Sequence, residues 1–442
     1  MKKLINIFVA VCCFMASAYA GNGPFLGWNS FDCYGNEINA EQTWANLKAF
    51  IEKLKPFGYE YFVIDAGWYR IPEGGNRMDE YGRFLPSDYY FPDGFKDIID
   101  YAHKNGVKFG LHMMRGIPRD AVRNNTLIKG TKRHAKEIAN VNDTCTWSSQ
   151  MYGVDMSKES AQTYYDSVIE LMAGWGVDFI KYDDISHKPE EIKAVAQAIR
   201  KSGRDIVLSV SPDAGNMNIE EALNTYKMAD MVRITRDIWD LQEDIDISFE
   251  KWEQMQKYSS MGFWLDLDML PLGHIRTTYP LNSSEVGLTR GYERLDNYTT
   301  AQKKTFVTQR ALAASPIFMG GTLVSSPNYV FELITNSEML KCNQNGVTAK
   351  LIHRIADYGN KFDIWAASHR SNKNEGWIGV FNRSEYLNKI KLSKSDLKLK
   401  PNVKYYLYDI WGKRIIADNT DFIFEVSARD VLFLYYKELS LN

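Results

Sequence analysis

Hydrophobic and polar residues follow two different rhythms along the chain. From Gly23 to about Ser326, short apolar runs rich in β-branched residues are separated by longer amphipathic stretches, which is typical of strands and helices alternating around a parallel sheet. We predict a strand at each of eight runs: Phe25–Phe31, Tyr61–Ala66, Val107–Met114, Val177–Asp183, Asp205–Ser211, Met231–Asp237, Phe263–Leu270 and Pro316–Gly321. Helical patterns lie between them, at Ala40–Lys55, Ser160–Trp175, Pro189–Lys201, Ile219–Met228, Phe249–Met261 and Ala301–Ala314.

Eight such units in roughly 300 residues predict a (β/α)8 TIM barrel, a fold of about 250 residues with room for insertions. A doubly wound open sheet is the alternative. The position of the polar residues distinguishes the two folds, since a barrel gathers the carboxyl ends of its strands around one mouth.

The pattern changes at about Val347 to short alternating strands without helices, which predicts a small antiparallel β-sandwich. We therefore divide the chain into a barrel domain over 21–345 and a sandwich domain over 346–442. The sandwich carries Trp365, Trp377 and Trp411. These could form a sugar-binding platform, but aromatics alternating along strands are more often core, and we interpret them as core.

The first twenty residues have the pattern of a secretory signal peptide, with Lys2 and Lys3, an apolar run to Met15 and Ala18-Tyr19-Ala20 before Gly21. We expect an exported protein, periplasmic or extracellular, that lacks a membrane span. Three cysteines follow the leader, Cys33, Cys145 and Cys342, so at most one disulfide can form among them. The formal net charge of −2 with mixed signs does not indicate nucleic-acid binding and favours an uncharged ligand.

Polar and ionisable residues stand at the ends of six of the eight predicted strands. Helix capping explains one such residue per loop. It does not explain Lys181 and Asp183, which are two apart and so share one face of a strand, or Arg233 followed by Asp237. The full set is Asn29-Ser30, Asp65, His112 with Arg115, Lys181 with Asp183 and Asp184, Arg233 with Asp237, and Asp266 with Asp268.

Two carboxylates facing one pocket among basic residues suit glycoside hydrolysis, in which one attacks the anomeric carbon and the other protonates the leaving oxygen. Lys181 beside Asp183 would keep that carboxylate ionised, as a nucleophile requires, and Asp237 would need a raised pKa to act as the acid. The alternative for any single barrel Asp is a structural ion pair. The combination of positions favours the catalytic interpretation.

Four motifs in order resemble glycoside hydrolase family 27, the α-galactosidases and α-N-acetylgalactosaminidases. They are Tyr59-Glu60-Tyr61 leading to Ile64-Asp65-Ala66-Gly67-Trp68, then Phe179-Ile180-Lys181-Tyr182-Asp183, then Arg233 with Asp237 four residues on, and Trp264-Leu265-Asp266-Leu267-Asp268-Met269-Leu270. The resemblance begins at Gly27-Trp28-Asn29-Ser30. The resemblance covers nearly the whole chain after the leader. It implies a retaining exo-glycosidase that releases terminal α-D-galactose, with a carbohydrate as its substrate.

The resemblance also implies the role of individual residues. Asp183 is the expected nucleophile and Asp237 the expected general acid/base. Lys181 and Arg233 are the expected donors to sugar hydroxyls, Trp28 the aromatic wall, and Asp65 the carboxylate that binds hydroxyls at the far side of the ring. We also expect His112, Asp268 and Met269 at the substrate, although His112 could equally be a histidine satisfied by backbone carbonyls.

Two departures from the family bear on specificity. The family has two consecutive acids on strand two, whereas the second is Ala66 here, and strand three continues as His112-Met113-Met114-Arg115. Arabinopyranose is galactose without its C5 hydroxymethyl group, so β-L-arabinopyranosidase activity is the alternative. A catalytically silent carbohydrate-binding protein is the alternative from another class. Strand five ends in Ser209-Val210-Ser211-Pro212-Asp213. This sequence does not decide which substituent the enzyme accepts at the 2-position of the sugar. No metal-ligand spacing or dinucleotide motif occurs, so we expect no metal or cofactor.

Overall fold

The computed structural model describes residues 23–72, 74–212, 225–276, 293–357 and 359–439. Within these ranges, eight parallel strands form one sheet in which the first seven pair in chain order and the eighth pairs with the first. Leu270, just past the seventh strand, pairs in parallel with Met319 of the eighth. This contact closes the ring, so the TIM barrel is confirmed and the open sheet is excluded. The barrel strands are β1 (Leu26–Asn29), β2 (Tyr61–Ile64), β3 (Lys108–Met114), β4 (Phe179–Asp183), β5 (Val207–Ser211), β6 (Met231–Arg233), β7 (Trp264–Asp266) and β8 (Ile317–Met319).

Four of the helices that surround the barrel begin and end close to their predicted positions: α1 (Ala40–Lys53), α3 (Ala161–Trp175), α4 (Pro189–Ser202) and α6 (Thr300–Ala313). Asn39 starts α1 with a capping box, in which its side chain accepts from the Gln42 backbone. Helix α5 (Gln242–Met255) begins earlier than predicted, and α2 (Lys96–Lys104) was not predicted. The predicted helix Ile219–Met228 lies largely outside the described residues. The remaining bounds are α7 (Asn328–Ile334) and α8 (Ser337–Gln344).

Alternate residues of each barrel strand face the barrel interior or the helices. Tyr61, Val63, Phe179, Met231 and Phe318 pack together inside the barrel. Their neighbours in sequence, such as Phe62 and Ile180, belong to the core between barrel and helices. The interior rows continue toward the carboxyl ends of the strands. Two-residue steps therefore lead from Val63 to Asp65, from Phe179 to Lys181 and Asp183, and from Met231 to Arg233.

Loops beyond the strand ends complete the mouth. After β3 the chain forms a small three-stranded sheet from Ile117–Pro118, Ala139–Thr144 and Met151–Val154. This sheet carries the segment 145–150 to the mouth. Short helices lie at Phe31–Tyr34, Arg119–Asn124 and Ala135–Ile138, and a two-stranded ribbon joins His274–Ile275 to Arg294–Leu295.

The change from helices to strands falls between Gln344 and Lys350. The strands that follow pair in antiparallel fashion, as predicted for a sandwich: β9 (Lys350–Asp357), β10 (Asn360–Ser368), β11 (Glu375–Asn382), β12 (Asn388–Ser393), β13 (Lys404–Asp409), β14 (Arg414–Ile416), β15 (Asp421–Val426) and β16 (Val431–Leu439).

The tryptophans of the sandwich pack against the barrel. Trp365 stacks on Trp252 of α5 with ring centroids 3.7 Å apart, and Trp377 is buried in the same core. The Trp411 indole donates to Thr308 Oγ1 of α6 at 2.8 Å. Their interpretation as core is confirmed, and this core joins the two domains.

Cys33, Cys145 and Cys342 are buried free thiols. Among the residues that the structure describes, no helix has the length and apolar character needed to cross a bilayer. The predicted leader over 1–20 lies outside those residues.

Candidate active site

A cavity of about 440 Å³ opens at the carboxyl ends of the barrel strands. Most of the predicted site residues line it: Asp65, His112, Lys181, Asp183, Arg233, Asp237, Asp268 and Met269. The interior rows of the strands bring Lys181, Asp183 and Arg233 together, as the two-residue spacing predicted, and the loops after β6 and β7 add Asp237, Asp268 and Met269.

Asp183, at the end of β4, is held by cationic and hydrogen-bonding groups. His112 Nε2 lies 3.2 Å from Asp183 Oδ2. Burial raises the pKa of Asp183, but the hydrogen bond from His112 and the charges of His112, Arg233 and Lys181 outweigh it and hold the pKa well below its usual range. The carboxylate therefore stays ionised and can act as a nucleophile.

Lys181 does not bond directly to Asp183. Its Nζ donates to Asp65 Oδ2 at 2.8 Å, and the Asn29 side chain donates to the same oxygen at 2.7 Å. Burial raises the pKa of Asp65, but Lys181 and His112 outweigh this effect and lower it. Asp65 is thus an ionised acceptor fixed at the cavity wall by an ammonium group and an amide.

Asp237 lies on the loop after β6 and is the more open of the two predicted catalytic acids. Its side chain is 61% exposed, compared with 19% for Asp183. Arg233 Nη1 donates to Asp237 Oδ1 at 2.5 Å and lies 3.7 Å from Asp268 Oδ2. A carboxyl group in this position can exchange protons with solvent while the guanidinium orients it.

Asp268, two residues past the end of β7, adopts a left-handed backbone conformation with φ of 73°. Its carboxylate accepts from the backbone N–H groups of Ile238 and Met269, both at 2.9 Å. Asp268 thus ties the loop that carries Asp237 to the end of β7. Burial, together with the charge of Asp237, raises the pKa of Asp268 despite the opposing charge of Arg233.

Asp184 has a different role from its neighbour, as the strand pleat predicted. It adopts φ of 57° and does not line the cavity. Arg115 donates to the Asp184 carbonyl at 2.7 Å and to its carboxylate at 2.9 Å. The same guanidinium binds Asp143 and Glu191, each at 3.0 Å. Arg115, whose importance the sequence did not reveal, fixes the backbone just after Asp183.

The prediction that Trp28 forms the aromatic wall is wrong. Trp28 is fully buried, stacks on Phe62 and donates its indole N–H to the Gly321 carbonyl at 2.9 Å. It sits on the helix-facing side of β1, because it pairs in register with Phe62 on the outward row.

The aromatic residues at the cavity come from loops instead. Phe31 lies one residue past Ser30 in a short helix, and the Lys181 ammonium is 5.8 Å from its ring centroid. Alternation along β1 puts the Trp28 side chain on the outward face, and this observation could have led the sequence analysis to choose Phe31 as the aromatic wall. The other cavity-lining residues that the sequence missed or left unassigned are Asp32, Asn36, Ala66, Gly67, Tyr69, Arg70, Met114, Trp147, Ser148, Ser149, Gln150, Ile238 and Trp239.

In the described ranges, no cluster of three or more His, Cys, Asp or Glu side chains could hold a metal ion. Ser209 and Ser211 are buried at the end of β5. Asp213, the last residue of the segment that was expected to face the 2-position of the sugar, lies outside the described residues.

Comparison with known proteins shows which family the chain resembles. The family model described as Melibiase matches residues 28–211, and the model described as Alpha galactosidase A matches residues 152–288. The chain is 25% identical over 406 residues to an α-galactosidase from Cyamopsis tetragonoloba, covering 90% of this chain and 82% of that protein.

A solved structure, that of a family 27 β-L-arabinopyranosidase from Geobacillus stearothermophilus, is 35% identical. The alignment covers 97% of this chain and 99% of the other with a TM-score of 0.86. α-Galactosidase I from Mortierella vinacea, at 19% identity and a TM-score of 0.67, shares the fold. The barrel, its mouth and these similarities define a glycoside hydrolase. The chain belongs to glycoside hydrolase family 27.

Proposed function

We propose that the enzyme is a retaining exo-glycosidase in which Asp183 is the nucleophile and Asp237 the general acid/base. An Asp183 oxygen attacks the anomeric carbon while Asp237 protonates the glycosidic oxygen, so the leaving alcohol departs and a glycosyl ester forms on Asp183. Asp237 then takes a proton from a water molecule that attacks the same carbon. The sugar leaves with retained configuration, and Asp183 returns to its carboxylate form.

The arrangement of charge around the cavity supports this proposal. Asp183, held by His112, stays ionised for attack, whereas Asp237 stands at the open side, where a leaving group departs and water enters. Lys181, Asp65 and Arg233 offer fixed donors and acceptors for sugar hydroxyls.

For the released sugar we propose β-L-arabinopyranose, which reverses the order of the two candidates from sequence. The observation that carries this choice is Ala66. It lines the cavity next to Asp65 and places a methyl group where the resemblance expects a second carboxylate. The hydroxyl of a C5 hydroxymethyl group would find no hydrogen-bond acceptor at this methyl group. A sugar that lacks the hydroxymethyl group has no such hydroxyl to satisfy. The 35% identity to a β-L-arabinopyranosidase supports the same choice.

Release of terminal α-D-galactose is the second candidate. It is favoured by the curated relatives named α-galactosidase, which include proteins from Cyamopsis tetragonoloba and Oryza sativa. The two sugars share the configuration of every ring carbon from C1 to C4. One pocket can therefore accept both, and the ratio of the two rates is the quantity that decides between them.

The test is a side-by-side assay of p-nitrophenyl β-L-arabinopyranoside and p-nitrophenyl α-D-galactopyranoside with the wild type and the Ala66→Asp variant. We expect a higher kcat/KM for the arabinopyranoside and a shift toward the galactoside in Ala66→Asp. A dominant galactoside rate in the wild type would support the second candidate. Loss of both activities in Asp183→Ala assigns the turnover to this site, and a wild type silent on both would favour a carbohydrate-binding protein.

We also propose that the protein is exported. The proposal rests on the leader pattern from Lys2 to Ala20. Cell fractionation of an expressing bacterium, with amino-terminal sequencing of the product, tests it: export predicts cleavage before Gly21, and an uncleaved cytoplasmic product would contradict it.

A further inference from the structure

Arg233 lies between two acids that come from different loops of the barrel mouth. Its Nη1 donates to Asp237 Oδ1 at 2.5 Å and lies 3.7 Å from Asp268 Oδ2. The Asp237 side chain is 61% exposed, whereas those of Arg233 and Asp268 are 11% and 5% exposed. One guanidinium thus serves an open carboxyl group and a buried one.

The contact between Arg233 and Asp237 creates a conflict for a general acid. Asp237 must carry a proton when the substrate binds, because it donates that proton to the glycosidic oxygen. An ion pair with Arg233 favours the ionised carboxylate instead. A buried guanidinium whose anionic partner became protonated would also lose its compensating charge, which is costly away from water. The site therefore needs a second anion beside Arg233.

Asp268 has the position that this second anion requires. Its carboxylate is fixed without help from Arg233, because it accepts from the backbone N–H groups of Ile238 and Met269, both at 2.9 Å. Ile238 directly follows Asp237, so the same carboxylate also fixes the backbone that carries the acid.

The two acids also influence each other through their charges. Burial raises the pKa of Asp268, and the charge of Asp237 raises it further against the opposing effect of Arg233. Because the interaction between two titrating groups is mutual, a negative charge on Asp268 in turn favours a proton on Asp237.

We propose that Asp268 is a positioning residue for the general acid/base: it shares Arg233 with Asp237 and remains the anionic partner of the guanidinium while Asp237 is protonated. When Asp237 gives its proton to the leaving oxygen, its new carboxylate pairs with Arg233 again. When Asp237 later takes a proton from water, Asp268 again balances the guanidinium. The inference rests on the proposed function, because it concerns the acid of that reaction.

Other charged and titratable groups face this pair. The charge of Lys181 acts on Asp268, and that of Asp183 acts on Arg233. Asp266 accepts from the Asp268 N–H at 2.9 Å, and burial, reinforced by the charge of Asp268, raises its pKa to about 7. Asp266 could therefore titrate in the pH range of the measurement, and Asp266→Asn is needed as a control.

The experiment compares the 4-nitrophenyl and phenyl glycosides of the better terminal sugar. 4-Nitrophenolate leaves readily without a proton, whereas phenolate does not, so the ratio of their kcat/KM values measures the contribution of the acid. This ratio is measured against pH for the wild type, Asp268→Asn and Asp237→Ala. Asn has the size of Asp and tolerates the left-handed backbone at this position.

Two control variants make the same change from Asp to Asn. Asp266→Asn removes the neighbouring titration. Asp240→Asn changes a buried acid on the same loop as Asp237, which pairs with Arg294 of the ribbon and does not line the cavity. Asp268→Glu and Asp268→Gln form a further pair, because their side chains have equal size and differ in charge.

In Asp268→Asn, Asp237 should lose its proton more easily. The basic limb of kcat/KM for the phenyl glycoside should therefore move to lower pH by roughly one unit. At the pH of the wild-type limb, the ratio of the 4-nitrophenyl to the phenyl rate should rise roughly tenfold. The limb should stay in place in both control variants. It should move in Asp268→Gln relative to Asp268→Glu, which a purely structural role would not predict.

An unmoved limb and ratio in Asp268→Asn, or equal limbs in the Glu and Gln variants, would overturn the inference. Asp237→Ala should raise the ratio more than any other variant. If it leaves the ratio unchanged, the assignment of the acid in the proposed function is wrong, and the two failures can be told apart.

Discussion

His112 Nε2 lies 3.2 Å from Asp183 Oδ2, and the imidazole that makes this contact is almost completely buried. Since the carboxylate is ionised, the ring nitrogen must be the donor. His112 lines the cavity, as predicted, and through this nitrogen it contacts Asp183 and not a backbone carbonyl. It positions the carboxylate of Asp183, the proposed nucleophile, and stabilises its charge.

The first prediction concerns the pH dependence that this contact controls. Removal of the imidazole in His112→Phe takes away the hydrogen bond that the ring gives to Asp183, so the pKa of Asp183 should rise. A nucleophile with a low pKa remains ionised as the pH falls, and one with a raised pKa is protonated sooner. The acid limb of the kcat/KM profile should therefore move to higher pH. His353→Phe in the sandwich is the control, and an unmoved limb in His112→Phe would contradict the assignment.

Arg115 provides a prediction about stability. In Arg115→Met the carboxylates of Asp143, Asp184 and Glu191 lose their buried partner. Breaking a buried ion pair from one side costs about 3–5 kcal/mol, so the Tm should fall sharply and kcat should fall with it. The matched change at exposed Arg133 should leave the Tm nearly unchanged. Equal melting temperatures for the two variants would show that Arg115 is not a structural clamp.

Two aromatic residues of β1 and its following turn should respond differently to truncation. Trp28→Ala removes a fully buried ring, which costs about 3–5 kcal/mol in a core, so it should lower the Tm. Phe31→Ala removes a cavity wall and should raise KM with a small effect on the Tm. Thermal melts and steady-state kinetics of both variants test the corrected assignment. The reverse pattern would restore Trp28 as the wall.

Asp266 gives a prediction about stability and pH. Burial, reinforced by the charge of Asp268, raises its pKa to about 7. The folded state therefore favours the protonated carboxyl group, and stability is lost as the pH rises from the ordinary Asp pKa toward 7. Asp266→Asn mimics the protonated form and can still accept from the Asp268 N–H.

The stability of Asp266→Asn relative to the wild type should therefore increase with pH up to about 7 and level off above it. The slope is at most about 1.4 kcal/mol per pH unit. Melting temperatures of both proteins across this range provide the measurement. A constant difference at every pH would mean that Asp266 titrates normally.

The fold could be predicted from sequence because the regular alternation of strands and helices, together with polar residues at the strand ends, indicates a (β/α)8 barrel. Alternation along the strands places Lys181 and Asp183 on the interior face, and it places Trp28 on the face toward the helices. Trp28 was wrongly assigned to the cavity wall because the assignment used the family resemblance and ignored this alternation.

The loop contributions to the site could not be predicted in the same way. Arg70, Trp147 and Gln150 reach the cavity through long insertions after β2 and β3, whose path depends on tertiary packing and not on a periodic pattern. Arg115 looked like one more polar residue at a strand end. Its function became evident only from the three acids that converge on it from separate segments.

The most direct test of the central claim is to trap the covalent intermediate. The wild-type enzyme is incubated with an activated fluorinated glycoside that slows release of the sugar, and the protein and its peptides are analysed by mass spectrometry. The account predicts one added sugar residue, attached to Asp183 in the peptide that contains Lys181-Tyr182-Asp183. A label on Asp184 or Asp237, or turnover with inversion and without any label, would contradict it.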